Sequence, residues 1–355
     1  MITKDNVLKA LSEVIEPDLR RDLVSLGMIE NLTIEGATVQ FTIVLTTPAC
    51  PLKDHMKNAC VNAIHLLVDK EAQVQVDFSS RVTTQRSESS VLQGVRNIIA
   101  VASGKGGVGK STVATNLAIA LRKEGAKVGL LDADIYGPSI PTMFGINEAP
   151  EMRTIDGRDL MIPLEKEGIK LLSIGFLMKP GQAVVWRGPM ISSAIRQFMN
   201  DVAWGDLDYL ILDLPPGTGD IHITLAQQFP ITGALIVTTP QEVALADARK
   251  AITMFKMAGA EVPLLGVVEN MSYFSPEDQP EKKYFLFGQG GGEKLSMESE
   301  LPLLGEIPLY EQLRASADEG RFTLDSVSIY SEAFTKFARN VARQVALRNA
   351  VPASN

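Results

Sequence analysis

Residues 104–112 read Gly-Lys-Gly-Gly-Val-Gly-Lys-Ser-Thr, between an apolar run, Asn97-Ile98-Ile99-Ala100-Val101-Ala102, and a stretch from Thr112 to Arg122 with helix-forming composition. Strand, glycine-rich loop and helix in that order restrict the fold to the α/β class with a parallel sheet. Gly104, Gly106, Gly107 and Gly109, with Val108 among them, let the backbone turn its amide hydrogens inward around an anion. Lys110 adds a point charge at the β- and γ-phosphates, Ser111 offers a hydroxyl to magnesium, and Thr112 continues this run into the helix, whose amino terminus favours negative charge. The same residues satisfy the glycine spacing of a dinucleotide-binding loop, with Asp132 downstream as its ribose acid. Lys110-Ser111 decides against that reading and for a nucleoside triphosphate.

The rest of the chain repeats the α/β theme. Apolar segments at Lys127 to Asp132, Tyr209 to Leu214, Ala234 to Thr238 and Leu264 to Val268 alternate with helical segments. This pattern predicts a mostly parallel sheet flanked by helices, with ligands at the carboxyl ends of its strands. Glu151 to Leu172 reads as a hairpin excursion, and Ser328 to Leu347 as a closing helix with Tyr330, Phe334, Phe337, Ala338, Val341 and Val345 on one side. Core packing is the expected role of that side. The alternative is a membrane-targeting amphipathic helix with Lys336, Arg339, Arg343 and Arg348 on its polar face.

A polar segment without periodicity, residues 80–93, reads as a linker. Ahead of it, residues 1–79 read as a small α+β domain: a helix over Thr3 to Ile15, strands at Met28 to Ile34 and Thr38 to Leu45, a helix over Leu52 to Lys70, and a strand at Val74 to Phe78. Residues 94–350 make up the nucleotide domain. The chain has 34 basic and 42 acidic residues, a net charge of −8, and no basic run, which argues against nucleic acid or an anionic membrane as partner. No apolar stretch is long enough to span a membrane, and Met1 to Asp18 has neither the basic start nor the apolar core of a signal peptide, so a cytoplasmic protein is expected. With two cysteines, Cys50 and Cys60, a disulfide framework is excluded.

Three further motifs fall where strands should end: Asp132-Ala133-Asp134, Asp213-Leu214-Pro215-Pro216-Gly217-Thr218-Gly219-Asp220, and Glu269-Asn270-Met271-Ser272. An acidic residue closing an apolar strand beside a phosphate loop can hold magnesium or its waters, the role given to Asp213. Asp134 either orients the attacking water or helps to hold magnesium. Gly217 can present its amide to the γ-phosphate, an interaction that disappears on hydrolysis and so can drive a switch.

Taken together, Gly-Lys-Gly-Gly-Val-Gly-Lys-Ser, Asp-Ala-Asp-Ile-Tyr-Gly-Pro-Ser, Asp-Leu-Pro-Pro-Gly-Thr-Gly-Asp and Glu-Asn-Met-Ser resemble the Mrp/ApbC branch of the deviant-Walker (MinD/ParA-like) ATPases over roughly residues 94–347. The resemblance implies a homodimer that binds ATP and magnesium, with Lys105 reaching across to the partner's phosphates and adenine recognised by Asn270 and the Ile307-Pro308 segment. It also implies slow hydrolysis coupled to delivery of iron–sulfur clusters to apoprotein clients. The front domain is similar to the SufT/PaaD-like domain of iron–sulfur assembly factors, through Asp22-Leu23-Val24-Ser25-Leu26-Gly27-Met28 and Thr46-Thr47-Pro48-Ala49-Cys50-Pro51.

The resemblance breaks at one place. Most members of that branch carry a Cys-x-x-Cys pair shortly after Asn-Met-Ser, whereas residues 273–285 here contain no cysteine. Lys283-Tyr284-Phe285-Leu286-Phe287-Gly288 resembles the corresponding region of the chloroplast high-chlorophyll-fluorescence lineage instead. A cluster would need other ligands, and Cys50 is the candidate. Pro51 suits the first position of the following helix, which would put Cys50 at its amino-terminal cap and favour thiolate. Cys60 shares a helix face with Leu52, Met56, Ala63 and Leu67 and reads as a buried structural thiol; His55 and His65 read as solvent-facing. Two other readings stay open at this point: a client-binding adaptor without its own cluster, and a positioning ATPase.

Overall fold

The computed structural model describes residues 2–86, 92–178, 188–257, 261–276, 278–321 and 329–351. Part of the expected linker, position 277 in the cysteine-free segment and the expected helix start at Ser328 lie outside them. Two compact units emerge: Met1–Gln85 grouped with Ala342–Asn355, and Arg86–Val341.

The first unit runs α1 (Lys4–Leu11), β1 (Ile15–Glu16), β2 (Arg21–Asp22), β3 (Ile29–Glu35), β4 (Thr38–Leu45), α2 (Lys53–Leu67) and β5 (Gln73–Ser80). The Thr3 hydroxyl caps α1 by accepting from the Asn6 amide. Strand β4 is central, antiparallel to β3 and parallel to β5, with Val39 paired to Val74 and Phe41 to Val76. Its alternate residues Val39, Phe41 and Ile43 are fully buried against Val7 and Leu11 of α1 and Met56, Cys60 and Ile64 of α2.

In the second unit come β6 (Val95–Ser103), α3 (Lys110–Lys123), β7 (Val128–Asp132), α4 (Ile140–Phe144), β8 (Met152–Ile155), β9 (Arg158–Met161), β10 (Leu164–Lys166), β11 (Ile169–Ser173) and α5 (Gly188–Asn200). There follow β12 (Leu207–Asp213), α6 (Asp220–Gln228), β13 (Gly233–Thr238), α7 (Glu242–Phe255), β14 (Leu264–Phe274), α8 (Gly291–Ser299), β15 (Leu303–Leu309), α9 (Glu311–Asp318) and the first part of α10 (Ile329–Ala350), whose residues from Ala342 on group with the first unit. Eight strands form one sheet in the order β10-β11-β7-β12-β6-β13-β14-β15, parallel except at the β10–β11 edge. Strands β7 and β13 and nearly all of β6 and β12 are buried, as a sheet covered on both faces requires.

The expected hairpin excursion is only half of what residues 151–172 do. β8 and β9 pair as a hairpin, but β11 joins the main sheet beside β7, with Ser173 in register with Asp132. On α10, Tyr330, Phe334, Phe337, Ala338, Val341 and Val345 are all buried, and Arg339 pairs with Glu124 at 2.9 Å. Core packing therefore accounts for its apolar face. Among the described residues no helix is long and apolar enough to cross a membrane.

Phe41 is a fully buried member of the smaller core. Phe41→Ala should lower the stability of that unit by about 3–5 kcal/mol, the usual cost of emptying a phenylalanine site. Chemical unfolding followed by circular dichroism measures this, and a loss below about 1 kcal/mol would contradict the packing described.

Candidate functional site

The parallel strands carry their carboxyl-terminal residues to one edge of the sheet, so the loops after β6, β7, β12 and β14 converge there. Asp213 closes β12 in register with both Val101 of β6 and Asp132 of β7, which sets two aspartates side by side next to the phosphate loop. Lys110, the first residue of α3, is itself buried. Its Nζ donates to Asp213 Oδ1 at 2.5 Å and lies 3.5 Å from Asp134 Oδ2.

Burial and the neighbouring Asp213 push the Asp132 carboxyl up to about 7. Asp213 is also raised, by burial first, with Lys110 and the nearby Ser111 hydroxyl working in the opposite direction. Asp132 also organises the chain around it: Oδ1 accepts from the Asp134 amide at 3.1 Å, and Oδ2 accepts from Ser173 Oγ at 2.9 Å and from the Ile140 amide at 3.3 Å. The loop bearing Asp134 is thus tied to β11 and to the start of α4. Asp213 Oδ2, by contrast, is buried and makes no hydrogen bond. An orphaned carboxylate oxygen beside Ser111 suits a divalent cation, so the donors present fit magnesium.

Two of the loop glycines are fixed by close approach. A Cβ on Gly109, whose φ is +80°, would lie 2.2 Å from Asn270 Nδ2, and one on Gly104 would lie 2.1 Å from the Asp247 backbone of α7. Asn270 can come so near because Nδ2 donates to the Val108 carbonyl at 2.9 Å. The residue expected to read adenine is therefore also a strut for the phosphate loop. Asn270, Thr112 and Pro308 line one cavity of about 690 Å³, together with Ser139, Met143 and Tyr310. This is ample for a nucleoside beside the phosphate loop. Ile307 is fully buried, which leaves Pro308 as the part of that segment facing the cavity.

The Gly217 amide donates to the Ser103 carbonyl at 2.9 Å. Lys105 is half-buried and pairs with no carboxylate among the described residues; its carbonyl accepts from Ser103 Oγ at 3.0 Å.

Cys50 requires a correction. α2 begins at Lys53 with Leu52 as its cap, so Cys50 lies two residues upstream of the cap and Pro51 is not the first helical residue. Cys50 is buried, and burial pushes its thiol up; the Leu52 amide favours the thiolate but does not outweigh burial, and Glu16 and Asp18 add to the upward shift. The expected thiolate is thus not favoured in this conformation. Cys60 is fully buried in the core, its thiol pushed up to about 12. His55 is exposed, whereas His65 is half-buried with Nε2 3.0 Å from the Ala72 carbonyl. Among the described residues no group of three or more His, Cys, Asp or Glu side chains is arranged to hold a metal ion.

Fold, loop and carboxylates together define a nucleotide-binding P-loop protein. Residues 94–343 match the family model described as NUBPL iron-transfer P-loop NTPase, and residues 4–77 match one described as iron-sulfur cluster assembly protein. The chain is 50% identical over 353 residues to the iron-sulfur cluster carrier protein of a Synechocystis strain, covering 98% of this chain and 99% of that one. It is 44% identical over 326 residues to the chloroplastic Fe-S cluster assembly factor HCF101 of Arabidopsis thaliana, covering 90% of this chain and 59% of that one. A solved nucleotide-binding protein of Archaeoglobus fulgidus in complex with ADP is 42% identical, with a TM-score of 0.56 over 65% of this chain and 89% of the other. The chain belongs to the NUBPL-type family of iron-transfer P-loop NTPases, in the form that carries the iron–sulfur assembly domain at its front.

Asp132 gives a pH test. Its folded pKa of about 7 lies above the ordinary value of 3.8, so the folded chain keeps a proton that the unfolded chain has released. The stability from that proton is complete below 3.8 and is lost as the pH rises through about 7. In nucleotide- and magnesium-free buffer, the stability of wild type relative to Asp132→Asn should fall by on the order of 2 kcal/mol between about pH 5 and about pH 8. Urea unfolding across that range measures it; a difference independent of pH would contradict the assignment.

Proposed function

We propose that this protein is an ATP-binding, slowly hydrolysing iron–sulfur cluster carrier or assembly factor that delivers clusters to apoproteins through an ATP-gated homodimer. One observation carries the reading: Lys110 rests on Asp213 while the Gly217 amide rests on the Ser103 carbonyl. Both are polar contacts that a bound nucleotide can replace. The β- and γ-phosphates would take Lys110, and the γ-phosphate would take the Gly217 amide.

Asp213 and Ser111 would hold magnesium, which supplies charge neutralisation at the phosphates when bound. Asp134, already within 3.5 Å of Lys110 Nζ, either orients the attacking water or assists at the metal. Lys105 would pair with phosphates of the partner subunit, and Asn270 and Pro308 would contact adenine. Relatives named as cluster carriers and assembly factors support iron–sulfur cargo. A cytoplasmic setting and the division into residues 1–79, 80–93 and 94–350 belong to the same proposal. Cargo would be held between subunits, with Cys50 as a ligand and the others supplied by the client or a small thiol.

A second reading has a specific observation in its favour. With Cys50 buried and its thiol shifted away from thiolate, a client-binding adaptor that times release by ATP hydrolysis needs no cluster of its own.

Lys110→Ala should abolish hydrolysis, and Lys105→Ala should retain nucleotide affinity while losing most of the turnover, both read by steady-state phosphate release. Full turnover by the Lys105 variant would contradict its cross-subunit role. Anaerobic reconstitution with iron and sulfide separates the two readings. The carrier reading expects a chromophore that transfers to an apoprotein and is lost in Cys50→Ser. An unchanged chromophore in the variant would remove Cys50 from the ligand set.

A further inference from the structure

His222 lies in the first turn of α6, directly after the loop that carries Gly217, and it is buried edge-on to the Phe255 ring of α7, centroids 6.1 Å apart at 75°. Its ring turns back into that loop. Nε2 lies 3.0 Å from the Pro215 carbonyl and Nδ1 lies 3.2 Å from the Gly219 carbonyl. The two carbonyls bracket Pro216, Gly217 and Thr218, so a single residue, through its ring at Pro215 and its backbone amide at Gly219, holds both ends of the segment whose middle amide is bound to Ser103. A loop held at both ends by one residue, whose ring packs on Phe255, has its centre constrained as a unit.

We propose that His222 is a positioning residue for γ-phosphate recognition: it cinches the Pro215–Gly219 loop so that the Gly217 amide is delivered to either the Ser103 carbonyl or a γ-phosphate. This rests on the ATP-switch reading above and adds to it the residue that makes the switch loop behave as one piece. Burial pushes the imidazole pKa down, as does the nearby charge of Lys110, while the two carbonyls and Asp134 push it up. The ring is therefore neutral at physiological pH, with one N–H and one lone pair. Two carbonyl oxygens then face a group that can donate to only one of them at a time. With the proton on Nε2 the ring meets the Pro215 carbonyl while the His222 backbone amide, 3.1 Å away, meets the Gly219 carbonyl, so both ends of the loop are satisfied in that tautomer. Moving the proton to the other ring nitrogen transfers the ring's hydrogen bond from one end of the loop to the other.

The test uses the full chain with magnesium and compares affinity for ADP with affinity for ATPγS, alongside kcat and KM for ATP. His222→Leu fills similar volume without side-chain donors; His222→Gln keeps a side-chain N–H that can reach the Pro215 carbonyl but lacks the rigid ring packed on Phe255. His222→Leu should bind ADP within about twofold of wild type, yet lose about fivefold or more of the ATPγS preference and of kcat, the scale of one lost hydrogen bond. His222→Gln should fall between the two, a rescue that volume alone would not produce. An unchanged ATPγS/ADP ratio and kcat in either variant would overturn the proposal, as would a parallel loss of ADP and ATPγS affinity, the mark of general disruption. Should His222→Leu fail to fold, the glutamine variant decides by the same ratio. If wild type itself shows no preference for ATPγS and no hydrolysis, the ATP-switch reading fails instead, an outcome distinct from a switch that works without His222.

Discussion

A lysine buried with carboxylates at the carboxyl edge of a parallel sheet is the constraint on which the site depends. Lys110 and Asp213 are both nearly inaccessible and 2.5 Å apart. Taking either charge out of water alone would cost several kcal/mol, so each is tolerable only because the other is present. The pair does not satisfy everything around it. Asp213 Oδ2 has no partner, Asp132 sits alongside with its carboxyl raised, and Asp134 remains within reach of the same ammonium. Such a cluster holds together without nucleotide and still leaves a place for phosphates to take the lysine and for a cation to take the carboxylates.

Around that pair, the loops are joined by short backbone links rather than by large contacts. The Ala133 amide donates to the Asp213 carbonyl, the Leu214 amide to Val101, the Gly217 amide to Ser103, and Asn270 Nδ2 to Val108. Ends of four strands are thereby connected through a handful of hydrogen bonds, each worth about 1 kcal/mol net. Links of that size are weak enough to exchange for contacts with a nucleotide and directional enough to pass the change from loop to loop. Bound nucleotide would have to displace the Gly217 and Lys110 links, while the Asn270 strut can stay because it braces the loop's own backbone.

Most of this was legible in the sequence where chemistry and periodicity coincide. The strand–loop–helix around Lys110 and the acidic strand ends at Asp132 and Asp213 follow from local patterns, whereas Asn270 and Pro308, which line one cavity, were pointed to by the family resemblance. What was not legible depends on tertiary register. β11 carries too short an apolar run to announce a sheet strand, yet its pairing with β7 puts Ser173 on Asp132. The Cys50 environment also escaped, because a proline after a cysteine suggests a cap while the real cap, Leu52, has no polar side chain. His222 gave no signal at all: a lone histidine in a helix acquires meaning only when the loop folds back over it.

Lys110 and Gly217 occupy resting contacts that Mg²⁺·ATP is expected to replace. A crystal structure of the wild-type chain with magnesium and a non-hydrolysable ATP analogue tests this directly. The predicted result is Lys110 Nζ on the β- and γ-phosphates and away from Asp213, the Gly217 amide on the γ-phosphate, and the cation on Asp213 and Ser111. Nucleotide bound with the Lys110–Asp213 and Gly217–Ser103 contacts both intact would contradict it.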